Sequence, residues 1–289
     1  MSDKELNDWL KNNPWNADYE KIERRLYDRE SEFRHQFLGE WESVPIAAYT
    51  REFVNRQINK GEISPEQGEE LIRYRYLQLK DDEKSLVSVM TNEGIAEPHQ
   101  KSIMRYLDIL RHHHVGTYLH SIRVGVLSAK IAAVADLDGV DPKMMLWAGL
   151  LHDIGKSKVP AELLEKKAKF DEADYAAMEP HVEYGWHMLE QVHNHTAHII
   201  VRHHRYGKRP YPAELPYLPD YLTGRRDIIE DASRLLALAD YYDALTTRKN
   251  DRNAGDMTRD EKRSLYIREN PGFEHLILKL EASGVLTFE

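Results

Sequence analysis

Apolar residues recur along this chain at three- and four-residue spacing, and the two-residue alternation of a half-buried strand is scarce, so the pattern predicts an all-helical protein. From about residue 100 the apolar density rises. The spacing there predicts helices over 100–112, 117–135, 142–154, 160–167, 171–191, 194–206, 231–248, 258–268 and 273–282. The stretch 207–226 reads instead as a long loop rich in Pro, Tyr and Gly, and loops of that length in compact domains tend to be functional. Residues 1–98 form a separate region, polar and rich in Glu, Arg and Tyr. Within it Ser64-Pro65-Glu66-Gln67 reads as an N-cap, a first-turn proline and a capping-box glutamine opening a helix through Leu79. Residues 91–98 read as a break, which places a second domain at 99–289.

Composition narrows the class. The 289 residues are 41 % hydrophobic and 31 % charged, with a formal net charge of −9. That is a charge-rich globular chain with ample core and an unsuitable surface for a general nucleic-acid polymer binder. No apolar run approaches the ~20 residues that span a bilayer, so no membrane partner is expected. The chain has no cysteine, which removes disulfides, thiolate ligands and cysteine catalysis and suits the cytoplasm.

Residues 147–160 carry the strongest chemical signal. An apolar run leads into adjacent His152 and Asp153, then a turn at Gly155 that presents Lys156. Adjacent helical residues point about 100° apart, so such a pair rarely serves one face. A metal centre is an exception, because a carboxylate can bridge two cations while the imidazole binds one. Further candidates sit in similarly apolar frames expected to be helical: His120, His181, His203, His204 and Asp240. Asp240 interrupts an otherwise apolar core helix, where an unpaired carboxylate would cost several kcal/mol. Gly185, one helical turn after His181, would permit a close backbone approach.

Any single histidine among the 15 present is more often a hydrogen-bonded core residue than a ligand. His112, His113 and His114 cannot share a helical face and read as surface or loop. His187, His193, His195, His198 and His275 read the same way. Asp243 is either a partner to a ligand or a charge on the helix surface.

As a set, the seven residues resemble the HD superfamily of metal-dependent phosphohydrolases, closest to its HD-GYP branch. The resemblance covers roughly residues 105–282. It rests on Thr117-Tyr-Leu-His-Ser-Ile-Arg-Val, Leu150-Leu-His-Asp-Ile-Gly-Lys-Ser-Lys-Val-Pro, Met178-Glu-Pro-His-Val-Glu-Tyr-Gly, His203-His204, Ala237-Leu-Ala-Asp-Tyr-Tyr-Asp-Ala-Leu-Thr-Thr-Arg and Gly272-Phe273. It implies an HD-domain helical bundle with two divalent transition-metal ions, iron or manganese by preference, with zinc also accepted by such ligands. His120, His152, Asp153 and Asp240 would hold one ion. Asp153 would bridge to a second held by His181, His203 and His204, with Lys156 neutralising charge on the phosphoryl oxygens. Lys156 could instead cap the preceding helix.

Departures from the branch bear on substrate. The loop after the double histidine reads Arg205-Tyr-Gly-Lys-Arg-Pro-Tyr-Pro, where the branch has an acid, then Asp-Gly, then Gly-Tyr-Pro. Gly116 stands where some members carry a third-metal glutamate, so two ions at most are expected. Arg205, Lys208, Arg209 and Arg248 have the chemistry of phosphate contacts, and Tyr211 could stack on a base or pack the loop. The implied activity is hydrolysis of a cyclic di-GMP-like dinucleotide or related nucleotide diester by water activated between the cations. A nucleotidase on the same centre and an inactive nucleotide-binding regulator are the alternatives. Residues 1–98 would serve as a regulatory or homodimerisation module, or as extra packing.

Overall fold

The computed structural model of the protein describes residues 64, 86–166, 168–247 and 257–288. Apart from Ser64, residues 1–85 lie outside the described residues. So do the capped helix expected there, most of the suggested dimerisation module, and Arg248. Every regular element among the described residues is helical, and no described helix is long and apolar enough to cross a membrane. The chain divides into two compact units between Gln100 and Lys101. In the earlier unit residues 86–92 are helical, the backbone turns through Gly94 at φ 70°, and Gln100 donates to the Ile95 carbonyl at 2.8 Å.

The later unit is built on α1 (Glu97–His113, which begins before the division), α2 (Val115–Ala135), α3 (Pro142–Leu151), α4 (Ala161–Leu164), α5 (Glu172–Met178) and α6 (His181–Leu189). It continues with α7 (Asn194–Ile200), α8 (Asp220–Thr223), α9 (Arg226–Thr247), α10 (Arg259–Glu269) and α11 (Glu274–Ala282). Local chemistry fixes several starts. The Asp141 carboxylate accepts from the Met144 N–H with Pro142 just inside α3, and the His114 ring accepts from the Thr117 N–H to open α2. Thr258 and Glu261 form a reciprocal capping box on α10.

Helix α3 is buried on all sides from Met144 to Leu151, as expected of a central helix without a polar face. It lies against α2 at a crossing of two glycines. A Cβ on Gly149 would sit 2.6 Å from the Gly125 Cα, and one on Gly125 would sit 2.7 Å from the Leu150 Cγ. Only two glycines allow the backbones this close. Around the pair, Tyr118, Val124, Ile131, Met145, Leu146, Leu150, Leu235, Leu236 and Leu238 are buried.

The observed boundaries differ from the sequence expectations in ways that matter later. The helix expected over 142–154 stops at Leu151, and a 3-10 turn (Ile154–Lys158) follows. The helix expected over 171–191 is two helices, because Pro180 has no N–H to continue the ladder. The helix expected over 194–206 stops at Ile200. Beyond it the Arg202, His203 and Arg205 N–H groups bond three residues back, to Ile199, Ile200 and Arg202, which tightens the chain into turns. Within 207–226 the short helix α8 appears, and α9 begins at Arg226 rather than 231.

Candidate metal centre

Of the seven sequence-nominated residues, only His120, His181 and Asp240 lie within helices. His152 caps α3, Asp153 precedes the 3-10 turn, and His203 and His204 occupy the turns after α7. The expectation that all seven sit on helices is therefore corrected. Helix ends have a chemical use here, because the last carbonyls of a helix lack intrahelical donors. The Nδ1 of His152 is 2.7 Å from the Gly149 carbonyl oxygen, at the end of α3. The Nδ1 of His181 is 2.8 Å from the Met178 carbonyl oxygen, at the end of α5. The Nδ1 of His203 likewise meets the Ile200 carbonyl oxygen, at the end of α7. A carbonyl only accepts, so each ring carries a proton on Nδ1 and turns its Nε2 inward.

These inward atoms form two adjoining groups. In the first, the His120 Nε2 lies 3.0 Å from the Asp240 Oδ1, 3.5 Å from the Asp153 Oδ2 and 3.3 Å from the His152 Nε2. In the second, the His181 Nε2 lies 3.4 Å from the Asp153 Oδ1, and His181, His203 and His204 place ligand atoms within 4.8 Å of one another. The carboxylate of Asp153 thus turns one oxygen toward each group. Its Oδ1 and the Nε2 atoms of His181 and His203 are buried without a hydrogen-bond partner among the described residues.

Lone pairs crowded in this way repel unless positive charge stands among them. Two ligand atoms each about 2.1 Å from one cation lie roughly 3.0–3.4 Å apart in octahedral or tetrahedral geometry. Most separations within the first group lie close to that spacing, the widest being 3.9 Å from the His152 Nε2 to the Asp240 Oδ1. The residues present therefore fit a divalent cation, and the second group offers three imidazoles and the other Asp153 oxygen for a neighbour. Lys156 donates from Nζ to the Asp153 Oδ2 at 2.6 Å.

Burial opposes charge on each of these groups, with different outcomes. It depresses His181 and His204, and takes His203 down to about 3, favouring neutral imidazoles. For Asp153 the burial effect is outweighed by His152 and Lys156, and for Asp240 by His120 and His152, so both carboxyls lie well below their ordinary value. Burial also opposes charge on His152, but Asp153 and Asp240 together push it up.

Close packing holds the two groups in register. A Cβ on Gly155 would lie 1.9 Å from the His181 carbonyl oxygen and 2.4 Å from the Gly185 nitrogen. The close approach expected at Gly185 is therefore real, and Gly155 is the residue that makes it.

The nominated substrate contacts fare differently. The Tyr211 ring stacks on His204 at 4.6 Å and 30°, beside the second group. Arg205 donates to the Pro212 carbonyl at 2.5 Å and to that of Ala213 at 3.2 Å. Lys208 pairs with Glu269 at 2.9 Å, and Arg209 pairs with Glu172 at 3.0 Å and with Glu179 while lying over the Tyr175 ring. These three cations thus have protein partners of their own rather than open positions beside the cluster. Asp243, which the sequence leaves as either a ligand's partner or a surface charge, contacts the His120 ring, and Arg123, which the apolar pattern does not mark, contacts Asp243. The signal for both was the shared three-residue step from His120 to Arg123 and from Asp240 to Asp243. Of the three consecutive histidines, His112 and His113 end α1 and His114 caps α2.

Similarity to known proteins agrees with this geometry. The chain is 28 % identical over 171 residues to the 3'3'-cGAMP-specific phosphodiesterase 2 of Vibrio cholerae, covering 57 % of this chain and 30 % of that protein. It is 31 % identical over 135 residues to a cyclic di-GMP phosphodiesterase of Pseudomonas aeruginosa, covering 45 % and 30 %. A cyclic di-GMP phosphodiesterase of Thermotoga maritima is 27 % identical over 186 residues, covering 61 % and 48 %. The chain spans less than half the length of each of these relatives. Residues 117–245, which hold both groups of inward-facing ligand atoms, match the HD domain family.

Proposed function

We propose that this chain is a metal-dependent phosphohydrolase of the HD-GYP type that cleaves a phosphodiester bond of a cyclic dinucleotide of the cyclic di-GMP or cGAMP class. The observation that carries the reading is Asp153, whose two oxygens face two separate histidine groups at 3.3–3.5 Å. In this reading His120, His152, Asp153 and Asp240 hold one divalent ion, and Asp153, His181, His203 and His204 hold the other. Iron or manganese suits a set of imidazoles and carboxylates without thiolates. Such a pair supplies Lewis acidity toward a phosphoryl oxygen and lowers the pKa of a coordinated water.

The protein's own groups supply the rest. Lys156, with its side chain only 12 % exposed, sets a fixed positive charge beside the Asp153 carboxylate, where phosphoryl oxygens gain charge during hydrolysis. Tyr211 offers a ring face at the edge of the second group, a surface on which a nucleobase stacks. Arg248 remains a phosphate contact in this proposal. Arg205, Lys208 and Arg209 hold the loop that carries Tyr211.

The test is turnover by the metal-loaded chain of cyclic dinucleotides, linear dinucleotides and mononucleotides in parallel. Cleavage of diesters without release of phosphate from mononucleotides is expected. Product from mononucleotides alone would make the protein a nucleotidase, and binding without any product would make it a regulator.

A further inference from the structure

We infer that Asp243 is the positioning residue that fixes His120 as an Nε2 ligand, and that Arg123 holds Asp243 in place for that purpose; the inference rests on the metal-centre reading above. His152, His181 and His203 each direct Nδ1 at a carbonyl exposed by a helix end. His120 lies inside α2, where the carbonyls are taken up by the helix ladder, so an acceptor must come from elsewhere. Helix α9 provides it. Residues three apart on a helix share a face, and α9 uses this to hold the His120 ring between two carboxylates. The Asp240 Oδ1 lies 3.0 Å from Nε2 and the Asp243 Oδ2 lies 2.7 Å from Nδ1.

Asp243 is itself buried, and an ionised carboxylate there needs several donors. Arg123 supplies two, from Nε to Oδ1 at 2.6 Å and from Nη2 to Oδ2 at 2.9 Å, and the Thr247 hydroxyl lies 3.3 Å from Oδ2. The fork sets the plane of the carboxylate, and one of its oxygens still reaches His120. An anion behind an imidazole locks its tautomer and ring angle and makes the opposite nitrogen a better donor to a metal, which a backbone carbonyl does less strongly. The first group therefore has a built-in charge behind one ligand that the second group lacks at His181 and His203. A simple salt bridge joining α2 to α9 would need only Arg123 and Asp243.

The experiment measures Mn(II) affinity and stoichiometry by competition with a chelator in wild type, Asp243→Asn and Arg123→Gln, with the thermal midpoint of each metal-free protein recorded alongside. Asp243→Asn should weaken one of the two ions by about 10- to 100-fold and leave the other unchanged. Arg123→Gln should lower the thermal midpoint and weaken the same ion, but by less than Asp243→Asn does, because the carboxylate behind His120 remains while its plane is no longer held. An independent readout needs no variant of Asp243. In Co(II)-loaded wild type the Nδ1 proton of His120 should give a shifted, slowly exchanging proton resonance, assigned by its loss in His120→Asn. Unchanged binding of both ions by Asp243→Asn, equal weakening in both variants, or absence of that resonance each overturns the inference. Wild type that binds no metal overturns the metal-centre reading as well, which separates the two failures.

Discussion

His120 lies within α2 and His152 caps α3, yet their Nε2 atoms stand 3.3 Å apart while their Nδ1 atoms face outward, to Asp243 and to the Gly149 carbonyl. Two ring nitrogens at that distance, with the carboxylates of Asp153 and Asp240 beside them, form a site suited to a shared positive charge. A bound divalent cation should therefore stabilise the fold strongly. At free metal about 100 times its dissociation constant, each site contributes roughly 2.7 kcal/mol. Differential scanning calorimetry should show the midpoint rising with Mn(II) and falling on chelation. A midpoint indifferent to both would count against the site.

Asp153→Ala removes the one side chain shared by the two groups. The variant should retain less than one equivalent of transition metal after anaerobic purification, read by elemental analysis. Its diester hydrolysis should fall by more than the roughly 100-fold seen on removing partners that merely orient a ligand. Stoichiometric metal with wild-type turnover would end the proposed mechanism.

Gly155→Ala tests the packing that holds the groups together. The new methyl group would meet backbone on both sides, at 1.9 and 2.4 Å, and backbone cannot rotate away as a side-chain tip can. Overpacking of this kind costs at least about 1–3 kcal/mol, read as a fall in the denaturant midpoint together with weaker metal binding. Gly207→Ala, with nothing within 4 Å of the added atom, should stay within about 0.5 kcal/mol of wild type.

Acid should destabilise the metal-free protein in a defined window. Burial and the Arg202 charge bring His198 down to about 4, and burial with the Arg225 charge holds His195 well below its ordinary value. The unfolded chain takes up protons on these rings below about pH 6.5, whereas the folded chain does not until lower pH, so unfolding is favoured by protons. Stability should fall from about pH 6.5 toward pH 4. His152 is shifted the other way, and its contribution is lost as pH rises through its raised value. Urea midpoints at pH 7, 6 and 5 measure the slope, and His198→Gln should flatten it. A midpoint that climbs on acidification would contradict this.

The loop cations divide by what they touch. Arg209→Ala removes a guanidinium already paired with Glu172 and Glu179, so kcat should hold within about threefold of wild type, as expected for an exposed pair. Tyr211→Ala removes the ring stacked on His204 and should raise KM for a dinucleotide by roughly 5- to 160-fold, the range of one base–aromatic stack. Tyr211→Phe should restore most of it. If Arg209→Ala proves the more damaging for KM, the guanidinium serves the substrate after all.

The residue pattern alone determined the helical class and nominated the seven inward-facing residues, for a physical reason. An ionisable side chain in an apolar helical frame, such as Asp240 between Ala239 and Tyr241, stands out because burial would cost too much without a partner. Periodicity also located α2, α3 and α9, whose long apolar faces leave no other solution. It failed where a helix must stop. The breaks at His152 and after Ile200 are invisible to periodicity, because local propensity does not register a carbonyl that a histidine ring will claim. The break at Pro180, by contrast, is a local signal that the apolar spacing across it obscures. The partners of charged groups are less legible in the sequence than burial is. Arg205, Lys208 and Arg209 have the composition of a phosphate site, but Pro212, Glu269, Glu172 and Glu179 become their neighbours only when distant segments meet. The roles of Gly125, Gly149 and Gly155 and the contact between Asp243 and His120 were likewise decided by the tertiary structure. Each is a distance between residues far apart in the chain, and no local pattern encodes a distance of that kind.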